Sequence, residues 1–425
     1  MLLDFRVRNY KSIDEEQTLS MVGTSLKGPH AAIHADYPGG GAGVLPCAVI
    51  YGANASGKSN LLEALVRMSG LVELSHYDSR HAKTLKANPF RLGEKSTSEP
   101  TLLEVSFLSS GTRYDYGFEY TEDKICSEWL YNFPEGRRRK LFERQELSVS
   151  FGGALKGEKK LLQSLLKERT LFVSLSEMVE QEDLAKVVEF FQNIFASNHI
   201  FVQAASLGRH FSEREIDKRA ILFLEKLGTG VCDYKFEVSD LTLEQRKLGT
   251  ELMRLIASYR EEELSEEDLE FDKEQYEVKL GHRALGEDLV YFGVDAESAG
   301  TRRLLLLMGR IFQVLDRGGI AVIDEIDASL HTFAVEAIIR LFADGDVNKH
   351  GAQLIATTHD TNLLNPDFLR RDEIWFVEKS PGGQSEYFSL AEIKRRKSEV
   401  FERSYLQGRY GAVPSTFSAK EFQIV

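Results

Sequence analysis

Apolar residues recur along this chain with more than one period, and the changes of period mark out its organisation. M-L-L-D-F-R-V-R-N-Y-K-S-I at 1–13 alternates apolar and polar positions as a half-buried strand does, and residues 1–22 read as a strand pair. Residues 23–44, rich in glycine with several histidines, read as a loop. L-P-C-A-V-I-Y (45–51) is a short apolar run of buried-strand type, and S-N-L-L-E-A-L-V-R-M (59–68) spaces its apolar residues as a helix does. From about 88 to 150 the period is that of β-structure: L-L-E-V-S-F-L, R-Y-D-Y-G-F-E-Y and S-E-W-L-Y-N-F, parted by glycine and charged turns. Residues 158–197 have helical spacing, as do 211–226. The strand C-D-Y-K-F-E-V comes next, then an amphipathic helix near 241–264 and strands over 275–293. From 298 helix and strand alternate: a helix, G-I-A-V-I-D-E, a helix, Q-L-I-A-T-T-H, a short helix, then E-I-W-F-V-E.

The turn between the run at 45–51 and the helix at 59–68 carries chemistry. Residues 52–59 fit G-x-x-x-x-G-K-[ST] at Gly52, Gly57, Lys58 and Ser59, with strand and helix on the expected sides. Glycines let the backbone wrap a phosphate with its N–H groups inward, and the positive helix end adds attraction. Asn54, Ala55, Ser56, Gly57, Lys58, Ser59 and Asn60 are therefore the expected nucleotide-binding residues. Lys58 is suited to the β- and γ-phosphates and the Ser59 hydroxyl to Mg²⁺.

Two distant strand ends complete the pattern. G-G-I-A-V-I-D-E closes on Asp324, placed to hold Mg²⁺, and Glu325, placed to polarise a water for attack on the γ-phosphate. A-T-T-H ends in His359, which at the carboxyl edge of a sheet beside a P-loop can reach the γ-phosphate. An ATP-binding core is thus expected to be split. The first part of the core, with the P-loop and a β-rich lobe, spans 1–204. A helical and strand insertion spans 205–297, and the rest of the core spans 298–425.

Charge and composition narrow the partners. A net charge of −13 disfavours indiscriminate binding to nucleic acid. The basic runs Arg137-Arg138-Arg139-Lys140 and Lys394-Arg395-Arg396-Lys397 read first as solvated faces. No apolar run reaches the ~18 residues of a membrane span, so no membrane partner is expected. Cys47, Cys126 and Cys232 form no C-x-x-C pair, and the expected location is cytoplasmic. Asp367, Asp372 and Glu373 read as a polar loop rather than metal ligands.

N-Y-K-S-I (9–13), the P-loop with its neighbours A-V-I-Y-G-A-N-A-S-G-K-S-N, N-P-F-R-L (88–92), E-S-A-G-T-R-R-L-L (297–305), D-E-I-D-A-S-L-H (324–331), T-T-H-D-T-N-L-L (357–364) and Y-L-Q-G-R-Y-G-A-V-P (405–414) together carry a resemblance. The chain resembles ABC-type ATPases of the SMC/RecF branch, and within it the AAA15 or RloA-like ATP-binding proteins. These are relatives of OLD-nuclease ATPase domains and of the PARIS-type defence ATPase. The resemblance implies an α/β, ABC/SMC-like P-loop ATPase head with a β-rich lobe and an inserted helical lobe. It implies a Mg²⁺-dependent ATPase with Glu325 and His359 catalytic, and with Ser298, Gly300 and Thr301 as a signature loop lent to a second copy, in a dimer at least. A helix cap is the other reading of that loop. Asp327 and His331 fall in the family's dimer-crossing loop, Lys11 near a phosphate, and Gln203 at the mobile-loop glutamine.

Roughly 240 residues separate the P-loop from Ser298, too few for long heptad arms. The segment after His359 is too short for the nuclease domain of OLD proteins, so no nuclease activity of its own is expected. By the resemblance, the role is anti-phage defence, triggered by a phage protein or nucleic acid. The ATPase would regulate a separately encoded effector, a Toprim-type nuclease. A RecF-like DNA-repair clamp and a nucleotide-held scaffold with negligible turnover are the alternatives.

Overall fold

The computed structural model describes residues 1–33, 43–78, 85–93, 96–178, 181–197, 215–240, 274–286, 288–394 and 400–413, with a few positions between 242 and 254. The chain divides into two compact units, Met1–His199 with Gln313–Val425, and Ile200–Phe312.

The first unit holds two sheets, whose strands are labelled in chain order. One is antiparallel throughout, in the order β2 (Gln17–Ser20), β1 (Leu2–Arg8), β4 (Thr101–Ser109), β5 (Thr112–Tyr120), β6 (Ile125–Asn132), β7 (Arg139–Gln145), β8 (Ser148–Phe151). The other runs β16 (Ser385–Ser389), β15 (Ile374–Lys379), β3 (Cys47–Gly52), β14 (Gln353–Thr357), β13 (Ile320–Ile323), β9 (Ile194–Ser197). Its strands are parallel except β16, which closes the edge antiparallel to β15.

Every residue of β3, β13 and β14 is buried, as a parallel sheet covered on both faces requires. Helix α1 (Lys58–Asp78) touches strands of both sheets. Its buried Leu61, Leu65, Met68 and Val72, spaced along one face, join Phe5, Val105 and Phe107 of the antiparallel sheet in one core. Alternation along β3 sends Ala48 and Ile50 into that core, while Cys47 Sγ meets Ile339 O of α6 (Thr332–Ala343) on the other face.

A buried ion pair fastens the chain leaving α2 (Lys159–Leu165) to the antiparallel sheet. Glu128 of β6 and Arg144 of β7 face each other at 3.1 Å with both side chains fully buried. Arg144 also donates to Thr170 O at 2.6 Å and Lys167 O at 3.0 Å. Glu128 accepts from the backbone N–H of Phe172 and Val173 at 2.7 and 3.1 Å. Burying a charge is tolerated only with such full pairing.

Two strands depart from the sequence expectation. Residues 158–197 read as helical, and α2 and α3 (Glu182–Gln192) lie there, but Ile194–Ser197 forms β9 beside β13. Four residues are too few to display a period of their own, and pairing decides them. Strand β16 likewise had no signal. Helix α1 also runs on to Asp78, past the apolar spacing at 59–68.

In the second unit, α4 (Lys218–Lys226) is capped by Asp217, whose side chain accepts from Arg219 N, and packs on β10 (Val231–Asp240). Strands β10, β11 (Glu274–Arg283) and β12 (Leu289–Gly293) form an antiparallel sheet, after which α5 (Ala299–Arg317) begins. Most of the expected helix at 241–264 lies outside the described residues, as does the boundary at 204–205.

Candidate nucleotide-binding site

The register of the parallel sheet creates the site. Thr357 of β14 pairs with Ile50 of β3, and Ile323 of β13 pairs with Ala356. Three strands therefore end together. The turn after Gly52, the residues after Thr357 and the carboxylates after Ile323 all emerge at that one edge. The carboxyl edge of a parallel sheet is where ligands bind in such folds.

The turn 53–57 is left-handed at Ala55 (φ 63°) and Gly57 (φ 111°). Gly57 is required twice. A side chain there is strained by φ, and a Cβ would lie 2.2 Å from Ser385 Oγ and 2.8 Å from Ser12 Oγ. Lys58 opens α1 and turns its Nζ back to Gly52 O at 2.8 Å and Ala53 O at 3.1 Å. Burial pulls its ammonium below the usual lysine value, opposed by Glu325, Asp324 and Asp327. Among the other loop residues, Asn54 and Ala55 are exposed and Ser56 is buried with no partner for its hydroxyl. Asn60 donates to Ser12 Oγ at 2.6 Å.

Ser59 Oγ donates to Asp324 Oδ1 at 3.1 Å, across 265 positions of sequence. Thr357 Oγ1 donates to the same oxygen at 2.6 Å and accepts from Glu325 N at 2.7 Å. Glu325 sits at φ 46°, a backbone conformation that costs a non-glycine residue about 1 kcal/mol or more. The Asp327 carboxylate accepts from His359 N at 3.3 Å, and the His359 residue itself is exposed. His331 caps α6, its Nδ1 accepting from Phe333 N at 3.2 Å. The Ser59 hydroxyl and the Asp324 carboxylate make a hard-oxygen pair, which suits Mg²⁺.

Lys11, left-handed at φ 51°, pairs with Glu63 of α1, and its N–H donates to Asn88 O at 2.6 Å. Asn9 fixes the same loop by accepting from Phe90 N at 2.8 Å. A cleft of about 300 Å³ opens here, lined by Lys11, Asn88, Phe90, Arg91 and Lys379. Lys379 Nζ also donates to Ala55 O at 3.1 Å, so the cleft adjoins the P-loop.

In the second unit, Ser298 Oγ accepts from Thr301 N at 3.1 Å and lies 2.9 Å from Thr301 Oγ1, and Arg302 N donates to Ser298 O at 3.0 Å. Ser298 therefore caps α5, with Gly300 in the first turn. Gln203 lies outside the described residues.

Two sequence readings change. Thr357 carries no site signal of its own in the sequence, although its hydroxyl ties Asp324 to Glu325. A threonine in an apolar strand reads as ordinary β-structure, and only its place before His359 hinted otherwise. Asp372 and Glu373, read as a polar loop, are buried. Asp372 pairs with Arg370 at 2.8 Å and accepts from Thr24 N at 2.8 Å, while Glu373 faces His30 Nε2 at 3.1 Å. They fasten residues 24–30 to the start of β15. Asp367 is exposed, as expected.

A P-loop on the central strand of a parallel sheet, with an acidic strand end two strands over, defines a P-loop ATPase of the AAA type. Residues 47–365 match the family described as "AAA domain, putative AbiEii toxin, Type IV TA system", and the chain belongs to that family. No curated protein matches the chain. Among solved structures it is similar to the Smc head domain with an extended coiled coil, bound to the C-terminal domain of ScpA, from Pyrococcus furiosus. That match has a TM-score of 0.37 and 15% identity, over 91% of this chain and 96% of the other. Among the described residues, no helix is long and apolar enough to cross a membrane.

Proposed function

We propose that this chain hydrolyses ATP with Mg²⁺ between two copies of itself, and that the cycle regulates a separately encoded effector in the manner of AAA15 or RloA-like proteins. The observation that carries the ATPase reading is the meeting of the Ser59 hydroxyl and the Asp324 carboxylate at 3.1 Å, with Lys58 opening the same helix. The Lys58 ammonium and the N–H groups of Gly57 and Lys58, within the loop 54–60, hold the phosphates. The adjoining cleft is large enough to receive ribose and base. Ser59 and Asp324 hold Mg²⁺, which when bound neutralises the phosphate oxygens.

Glu325 orients a water towards the γ-phosphorus and accepts its proton. The new P–O bond forms as the bond to ADP breaks, and His359 stabilises the γ-phosphate oxygens. Ser298, Gly300 and Thr301 of a second copy complete the site, since a capped helix N-terminus is suited to an anion. Closing on ATP and opening after hydrolysis would hold or release the effector. The resemblance to defence ATPases supports a Toprim-type nuclease in anti-phage defence, and a phage protein or nucleic acid as the trigger.

The test combines nucleotide binding, phosphate release and sedimentation. Lys58→Ala should lose ATP binding. Glu325→Gln should bind ATP but turn it over about 10²–10⁴-fold more slowly and stay assembled. Ser298→Arg should bind ATP as a single chain without assembling. Turnover in Glu325→Gln at the wild-type rate would remove Glu325 from the chemistry. Loss of single-chain affinity in Ser298→Arg would overturn its role in a second copy's site.

A further inference from the structure

Three consecutive carbonyls of the P-loop are engaged from outside the loop by one hairpin. Lys379 of β15 donates to Ala55 O at 3.1 Å, Ser385 Oγ of β16 to Ser56 O at 2.5 Å, and the Tyr387 hydroxyl to Gly57 O at 2.6 Å. Ser12 locks the arrangement: its hydroxyl lies 2.6 Å from Ser385 Oγ and accepts from Asn60, and its carbonyl accepts from Ser385 N at 2.8 Å. Ser385 and Tyr387 are buried, and burial pushes the Tyr387 phenol far above its usual value, so it remains a donor.

In a trans peptide the C=O and N–H point in opposite directions. Holding the Ser56 and Gly57 carbonyls towards β16 therefore turns the N–H groups of Gly57 and Lys58 to the other side, where a phosphate would lie. We infer that Ser385 and Tyr387, with Ser12, are positioning residues that aim the P-loop N–H groups at the phosphates of the bound nucleotide. They act through the loop carbonyls that they hold. The role explains why β16 is present at the sheet edge and why Gly57 admits no side chain: Ser385 and Ser12 occupy the space of its Cβ.

This inference rests on the nucleotide reading of the loop. A preorganised cradle lowers the cost of binding phosphate in ground state and transition state alike, so its loss should appear in KM and leave kcat unchanged. The experiment compares wild type, Tyr387→Phe and Ser385→Ala in ATP hydrolysis, with inorganic tripolyphosphate as competitor and thermal unfolding as control. The expected result is a five- to tenfold rise in KM for ATP and an equal rise in the inhibition constant of tripolyphosphate, with kcat preserved. Unchanged KM in both variants overturns the brace while the ATPase reading stands. So does a fall in kcat at constant KM, or a rise for ATP that tripolyphosphate does not share. Wild-type protein that binds no ATP overturns both.

Discussion

Replacing Thr357 by valine tests the carboxylate side of the site with almost no change of shape. Valine keeps the branching and volume of the fully buried threonine, so no cavity opens. Two hydrogen bonds are lost. The 2.6 Å bond to the Asp324 carboxylate is charge-assisted and contributes about 1.5–3 kcal/mol, and the 2.7 Å bond from Glu325 N contributes about 0.5–1.5 kcal/mol. Thr357→Val should thus destabilise the protein by about 2–4 kcal/mol. Thr357→Ser, which keeps the hydroxyl and loses one methyl, should cost about 1 kcal/mol. The chemistry should separate the two variants further. Glu325 is held at φ 46° partly by its N–H bond to Thr357, and once released its backbone can relax out of the left-handed region. The valine variant should then show a lower kcat, and the serine variant a kcat near wild type. Urea unfolding gives the stability from the midpoint and slope, and phosphate release gives kcat. A valine variant as stable as the serine variant, hydrolysing at the wild-type rate, would refute the assignment.

Arg144→Met strands Glu128 without a countercharge and should cost about 3–5 kcal/mol in chemical denaturation, whereas Glu128→Gln with Arg144→Met should recover much of the loss. Asp372→Ala should destabilise by about 3 kcal/mol, and faster hydrogen exchange at Thr24, whose N–H it accepts, is the local signature. Burial is the largest influence on the His30 pKa and lowers it, but the bond and charge attraction to Glu373, with the Ala31 carbonyl, together outweigh burial, and the net shift is upward from 6.5. The stabilisation is therefore complete below pH 6.5 and is lost as pH rises through the folded-state value. The unfolding temperature of wild type should fall from pH 6 to 8.5 more steeply than that of His30→Gln, and parallel curves would count against the pairing.

How local each signal is decides how much of the molecule is legible in its sequence. The P-loop and the D-E strand end are contiguous words whose chemistry needs fixed spacing, and the strands bearing them are apolar runs that hold their register alone. Strands β9 and β16 are four and five residues long, and their polar and apolar residues show no period. Ser385 and Tyr387 are consequently illegible, because nothing in Q-S-E-Y-F-S says that two of its hydroxyls grip a loop some 330 positions away. Asp372 and Glu373 failed for a related reason. Adjacent carboxylates in R-R-D-E look solvated until partners from residues 24–30 arrive to neutralise them.

The two halves of the site are held by different means. On the phosphate side, hairpin donors reach the carbonyls of Ala55, Ser56 and Gly57, so the loop is shaped before any ligand arrives. On the carboxylate side the segment 325–329 holds left-handed backbone at Glu325 and Ser329, anchored by Thr357 and by Ile326 N to Thr357 O at 2.9 Å. A braced loop favours uniform binding, which sets affinity. A strained segment hung on one strand end is the less constrained half, and under the proposed chemistry a displacement of Glu325 acts first on the attack of water. Asp327 in that segment accepts from His359 N, so a shift of 325–329 would carry the histidine's backbone with it. Under the proposed assembly, a neighbouring copy pressing on 325–331 adjusts water attack and γ-phosphate contact together while leaving the phosphate cradle untouched. Under that proposal, binding and turnover are separately controlled.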